Sequence, residues 1–146
     1  MTWQELSRHG ELKKRLAICW DRLSSLEAAA QPGAQRLTGL PHSSGKRDKV
    51  GDLAVKIADT RAEAMRLKAE LYRSEASITA YASTIPDSRT RIILQLRFVK
   101  GMGWKEIARF IGGDATAASV EKYARRFLAK AQRPNNDQSH KKAGQE

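Results

Sequence analysis

Lys122, Arg125 and Arg126 fall within five residues of one another late in a chain of 146 residues, and Lys105 and Arg109 precede them at a four-residue spacing. Ammonium and guanidinium groups donate hydrogen bonds and accept none, and at neutral pH they hold their charge. Such a grouping neutralises phosphates or reads guanine edges; it neither abstracts protons nor attacks carbon. Residues that do covalent chemistry are absent as sets. Cys19 is the single cysteine, and His9, His42 and His140 are scattered, so no metal-ligand spacing exists. No Ser/His/Asp set, paired carboxylate motif or phosphate-cradling glycine loop stands beside them. The chain therefore reads as a non-enzyme without metal or cofactor. Cys19 falls on the apolar stripe of a predicted helix and is expected to be buried as a small apolar residue, while the histidines are expected to be solvated.

Charge agrees with that chemistry. Lys and Arg number 27 against 16 Asp and Glu, a formal net charge of +11, and the pI is near 10.2. Between residues 89 and 133 there are 11 basic residues and 3 acidic ones, Glu106, Asp114 and Glu121, so an excess of 8 lies in that stretch. A phosphate backbone attracts such an excess. A membrane surface would as well, but it calls for exposed aromatics on a long basic amphipathic helix, and the aromatics here fall on apparent core stripes.

The elements that must position these cations read as three short helices. Ile92, Ile93, Leu96 and Val99 form the stripe of the first, which Gly101 and Gly103 break. Trp104 opens the second, whose Ile107, Ala108 and Ile111 make a narrow apolar face, with Trp104 and Ile107 as core anchors. Gly112 and Gly113 supply a turn, and Asp114 or Thr116 caps a third helix in which Val120, Tyr123, Ala124, Phe127 and Leu128 point inward. That places Lys122, Arg125 and Arg126 on the outer face, with no acidic partner in the last two turns, and Ala117, Ala118 and Glu121 nearest a groove floor. Together with Thr116, Lys105 and Arg109 these residues form the candidate DNA-binding set. A solvated basic surface on a helical core is the bland alternative, and the glycine turn with the one-sided charge weighs against it.

At these residues a resemblance arises. LRFVKGMGWKEIARFIG, followed by SVEKYARRFL, resembles the region-four helix-turn-helix of bacterial sigma factors and of related phage transcription regulators. The LxLRF segment, the glycine, the WKEIA core and the helix-ending RRFL match that pattern. The family passes from glycine to Ser/Thr cap in about two residues, and the stretch from Gly112 to Thr116 is longer. The resemblance implies duplex DNA as partner, and RNA polymerase as a second one.

The N-terminal half reads as a helical hairpin. Thr2 and Glu5 form a capping-box pattern, and Leu12, Leu16, Cys19, Leu23, Leu26 and Ala30 then recur in four- and three-residue steps, predicting a helix over 3–30. Pro32 and Gly33 stop it and a turn-rich loop spans 31–49, after which a heptad seam runs from Val50 through Leu53, Ile57, Thr60, Ala64, Leu67, Leu71, Ser74, Ile78 and Tyr81 to Ile85, with Asp48 as cap. A helix this long cannot hide its stripe alone. Its nearest partner is the first helix, folded back antiparallel, although the same seam suits a second copy and hence a homodimer. The loop run RLTGLPHSSGKRDKVGDLAVKIADT is similar to a "GxPxxSGxxDKVGxL" motif that a family of small phage and prophage proteins pairs with a sigma-like C-terminal module; Gly39, Pro41, Ser44, Gly45, Asp48, Lys49, Val50 and Gly51 fit it. A folding role is the expectation for that motif.

The expected architecture is thus all-α: a long, coiled-coil-like antiparallel hairpin over 1–86, a helix-turn-helix module over 87–133 and a disordered tail over 134–146, divided where Pro86 disfavours helix at Ile85. A mean hydropathy of −0.59, the lack of any apolar run of membrane-spanning length and a charged N-terminus place the protein in the cytoplasm. The function expected is a phage- or prophage-encoded DNA-binding transcription regulator. The alternatives are a small terminase-like DNA-packaging protein and a helical assembly protein that binds no DNA.

Overall fold

A computed structural model describes residues 1–31 and 49–132. The expected loop with its motif, the Asp48 cap, His42, and the tail from 133 with His140 lie outside the described residues. Among the described residues the protein is all-helical, without strands. Helix α1 spans Trp3–Ala29, α2 Lys49–Ser83 and α3 Ser88–Leu94; α3 passes directly into a wider π-helical turn over Gln95–Val99, and α4, Trp104–Ile111, and α5, Ala117–Ala131, follow. None of these helices is long and apolar enough to cross a membrane.

Packing groups the helices into two compact units. Among the described residues, one compact unit joins Met1–Gly10 to those from Ser74 onward, and the other takes in those of Glu11–Arg73. The division falls inside α1 and α2, because the first turns of α1 and the last turns of α2 pack among the C-terminal helices.

Within Glu11–Arg73, Leu12, Cys19, Ala64 and Leu67 form the core, with Leu16 and Leu71 packed against it. Thr60 and Ala64 look weak in the heptad seam as sequence, yet both are buried, because small side chains let two helices approach closely. Cys19 is buried as expected, and its Sγ donates to the Thr60 carbonyl at 3.4 Å. Leu23 is buried as well, while Leu26, Leu53 and Ile57 are only half-buried. The inner seam of α2 is therefore occupied within the chain.

In the other unit, Leu6, Ile78, Ile85, Leu94, Phe98, Val99 and Leu128 make one core cluster. The capping box forms: the Glu5 amide donates to Thr2 Oγ1 at 3.1 Å and the Thr2 amide to Glu5 Oε2 at 2.7 Å, and that backbone donor holds the Glu5 carboxyl below its ordinary value. His9 is not solvated. It sits three residues from both Leu6 and Leu12 on the inward stripe, is fully buried, and places Nδ1 3.2 Å from Ser74 Oγ. Leu6 beside Ile78 and His9 beside Ser74 run in opposite directions along the two helices, so the arms of this hairpin are antiparallel here.

Candidate nucleic-acid interface

The three C-terminal helices are held by their ends. Asp87 caps α3, accepting the Arg89 amide and, at 2.9 Å, the Thr90 amide. The Thr90 hydroxyl first, then its amide and the Tyr123 hydroxyl at 2.9 Å, hold the Asp87 carboxyl down to about 2. The expectation that Tyr123 points inward is thus corrected: it is 42% exposed and ties α5 to the cap of α3 through its hydroxyl. The π turn changes the stripe of α3 as well. Ile93 and Phe98, like Leu94 and Val99, are five residues apart and all buried, which is the spacing a π turn stacks, while Ile92 is 41% exposed and Leu96 half-buried. Gly101, at φ +78, then lets the Met102 amide reach back to the Leu96 carbonyl at 2.9 Å.

Helix α4 packs Ile107 and Ala108 against Ile93, Val120 and Ala124 in a second cluster, with Trp104 and Ile111 partly buried beside them. Gly103 and Glu106 close its N-terminus, the Gly103 amide donating to Glu106 Oε2 at 2.8 Å. Gly112 and Gly113 turn the chain with φ of +75° and +63°. The cap of α5 is Thr116 and not Asp114: Thr116 Oγ1 accepts the Ser119 amide at 3.2 Å, and Ser119 Oγ accepts the Thr116 amide at 3.0 Å.

Trp3 joins this module, which sequence spacing cannot reveal. Its ring meets Phe98 edge-on at 5.2 Å and stacks on Trp104 at 6.1 Å, and the Arg125 guanidinium lies 4.1 Å from its centre. Arg97 covers the other indole, 4.8 Å from the Trp104 ring centre, and donates to the Met102 carbonyl at 2.9 Å. Two arginines of the basic excess thus serve the fold.

The candidate site residues therefore separate into two groups. Arg125 does have an acidic partner, bridging Glu121 one turn earlier at 2.8 Å, so these two and the Trp3 ring form an internal strip. Lys122 and Arg126, four residues apart on α5, and Lys105 and Arg109, four apart on α4, are exposed and bond to no other side chain among the described residues. With Glu106 at its cap and Glu121 on Arg125, only Asp114 remains as an exposed acid in the module outside such a bond, among the described residues. A shallow cleft of about 410 Å³ separates α4 from the start of α5, lined by Lys105, Ala108, Arg109, Gly112, Gly113, Ala115 and Ala117. Its walls are small residues and two cations, next to the first turn of α5. Ala117 is half-buried and Ala118 exposed, at the end of α5 where the helix dipole is positive. An anion is the ligand such a cleft suits. The chain matches no family model, no characterised protein and no solved structure.

Proposed function

We propose that the module over 88–132 binds duplex DNA and that the protein is a transcription regulator of the phage or prophage kind, working in the cytoplasm. The observation that carries this is the unpaired state, among the described residues, of Lys105, Arg109, Lys122 and Arg126 on two helices joined by a positive-φ glycine turn, when the nearby acids Glu106 and Glu121 are taken up by the fold. In this reading α5 enters the major groove with Ala117 and Ala118 leading. Lys122 and Arg126 meet the phosphates or guanine edges beside it, and Lys105 and Arg109 hold the backbone at the cleft. Thr116 sets the entry angle as cap. Glu121 acts indirectly, by fixing Arg125. The proposal assigns no reaction and no cofactor, and RNA polymerase enters as a second partner only by the resemblance of the module to sigma region four.

The test is duplex binding by fluorescence anisotropy across a salt series, beside a thermal melt. Lys122→Ala and Arg126→Ala are expected to melt as the parent does and to weaken binding. A variant that no longer neutralises one phosphate should flatten the plot of log affinity against log salt by about one unit. Parent affinity and parent slope in both variants would remove α5 as the reading helix.

A further inference from the structure

Helix α2 carries a second apolar stripe that no other described residue covers. It starts at Val55, advances in alternating steps of three and four residues through Met65 and Tyr72 to Thr79, and every position on it is exposed. Its three large apolar side chains, Val55, Met65 and Tyr72, are 60%, 58% and 61% exposed. On an α-helix this stripe lies roughly 150° around from the inner seam of Thr60, Ala64 and Leu67, so α1 cannot cover both. A step pattern of three and four kept for more than three heptads is the signature of a coiled-coil seam.

We propose that this outer stripe pairs with the same stripe of a second copy of the chain, antiparallel, about a twofold axis near residue 67. Two features of the sequence on α2 select that occupant and direction. The first is size. Antiparallel pairing about this axis sets Tyr72 against the partner's Ala62 and Met65 against the partner's Ala69, so each large side chain faces a small one. Parallel pairing would stack tyrosine on tyrosine and alanine on alanine, leaving alternate layers overfilled and empty. The second is charge along the flanks. Antiparallel pairing brings Asp59 to the partner's Arg73 and Arg61 to the partner's Glu75, each twice by symmetry, with like charges meeting only at the axis, where Arg66 and Lys68 face their own copies. Parallel pairing would bring Arg61 to the partner's Arg66 and Lys68 to the partner's Arg73, with no opposite pair in compensation. Arg61 already bonds its own Glu27 at 2.6 Å, and its five donors allow it to serve both acids. This face differs from the inner seam, and the proposal stands or falls independently of DNA binding.

Sedimentation equilibrium of the full chain is expected to show a monomer–dimer equilibrium. Met65→Glu and Ala62→Glu, made separately at exposed positions, should keep the helical signal and the melt while weakening self-association by at least about tenfold, since a charge would be buried in an apolar seam. Direction is read by mixing an Ala62→Cys protein with a Tyr72→Cys protein under mild oxidation; native Cys19 is buried and does not compete. The mixed disulfide should form and each protein alone should not cross-link. A monomer through the millimolar range, a dimer indifferent to both glutamates, or cross-linking of either cysteine variant with itself would each overturn the proposal.

Discussion

At the scale of single residues, the chemistry of the module turns on which charges are already engaged. Asp87 is the clearest case, its carboxyl held at about 2 by the Thr90 and Tyr123 donors, below the ordinary 3.8. A carboxylate whose folded value is depressed stabilises the fold above its unfolded value and loses that contribution as pH falls through the folded one. The melting difference between the parent and Asp87→Asn should therefore be constant above about pH 5 and shrink between about pH 4 and pH 2. Tyr123→Phe removes one donor and should move the Asp87 carboxyl upward in an NMR titration; an unmoved titration would exclude the Tyr123 bond. Arg125 and Arg126 give a second contrast. Arg125→Ala loses the Glu121 bridge and the Trp3 face and should cost about 1 kcal/mol, whereas Arg126→Ala should leave the melt unchanged and act only on binding. The four-residue spacing of Glu121 and Arg125 is legible as sequence, but the indole that completes the strip comes from the opposite end of the chain.

At the scale of elements, the angle between α4 and α5 rests on a short turn and one buried anchor. Gly112 has φ +75° and ψ −170°, a region that side chains do not enter, and nothing lies within 4 Å of where a Cβ would stand. Gly112→Ala should therefore lose about 1 to 3 kcal/mol through the backbone alone. Gly113 lies in the ordinary left-handed region, which Asn tolerates, so Gly113→Asn should be milder in the same melt. Equal effects at the two glycines would mean that the turn relaxes. Ile107 is fully buried between α4 and the helices it crosses, and Ile107→Ala should cost about 2 to 4 kcal/mol and, on the proposed function, reduce duplex binding with it. The helices and the glycine turn are legible from apolar spacing and breakers. The π turn is not, because a period of 3.6 read along α3 puts Ile92 inside, and only the extra residue in that turn moves Leu94 and Phe98 there instead.

For the whole molecule, the informative finding is that Met1–Gly10 belongs with the C-terminal helices. Leu6 sits in their core, and Trp3 packs against both of its clusters. Trp3→Ala should lower stability by about 2 to 4 kcal/mol, and deleting residues 1–10 should destabilise the C-terminal helices themselves, seen as early loss of tertiary NMR dispersion from α3 to α5. A truncated chain whose module melts as the parent does would refute that dependence. The sequence alone determined the helices, because amphipathic period, caps and breakers act over a few residues and each can be read where it stands: Thr2 with Glu5, the seam through Ala64 and Leu67, Gly112 and Gly113. It also determined the excess of cations in the C-terminal third. Tertiary structure alone decided which face meets which partner, since burial depends on residues distant in the chain. It put His9 beside Ser74 and not in water, took Arg125 and Arg97 out of the free basic surface by giving them indoles to cover, and drew a boundary of packing inside two helices, whereas the proline at 86 in the sequence marks a break in the backbone.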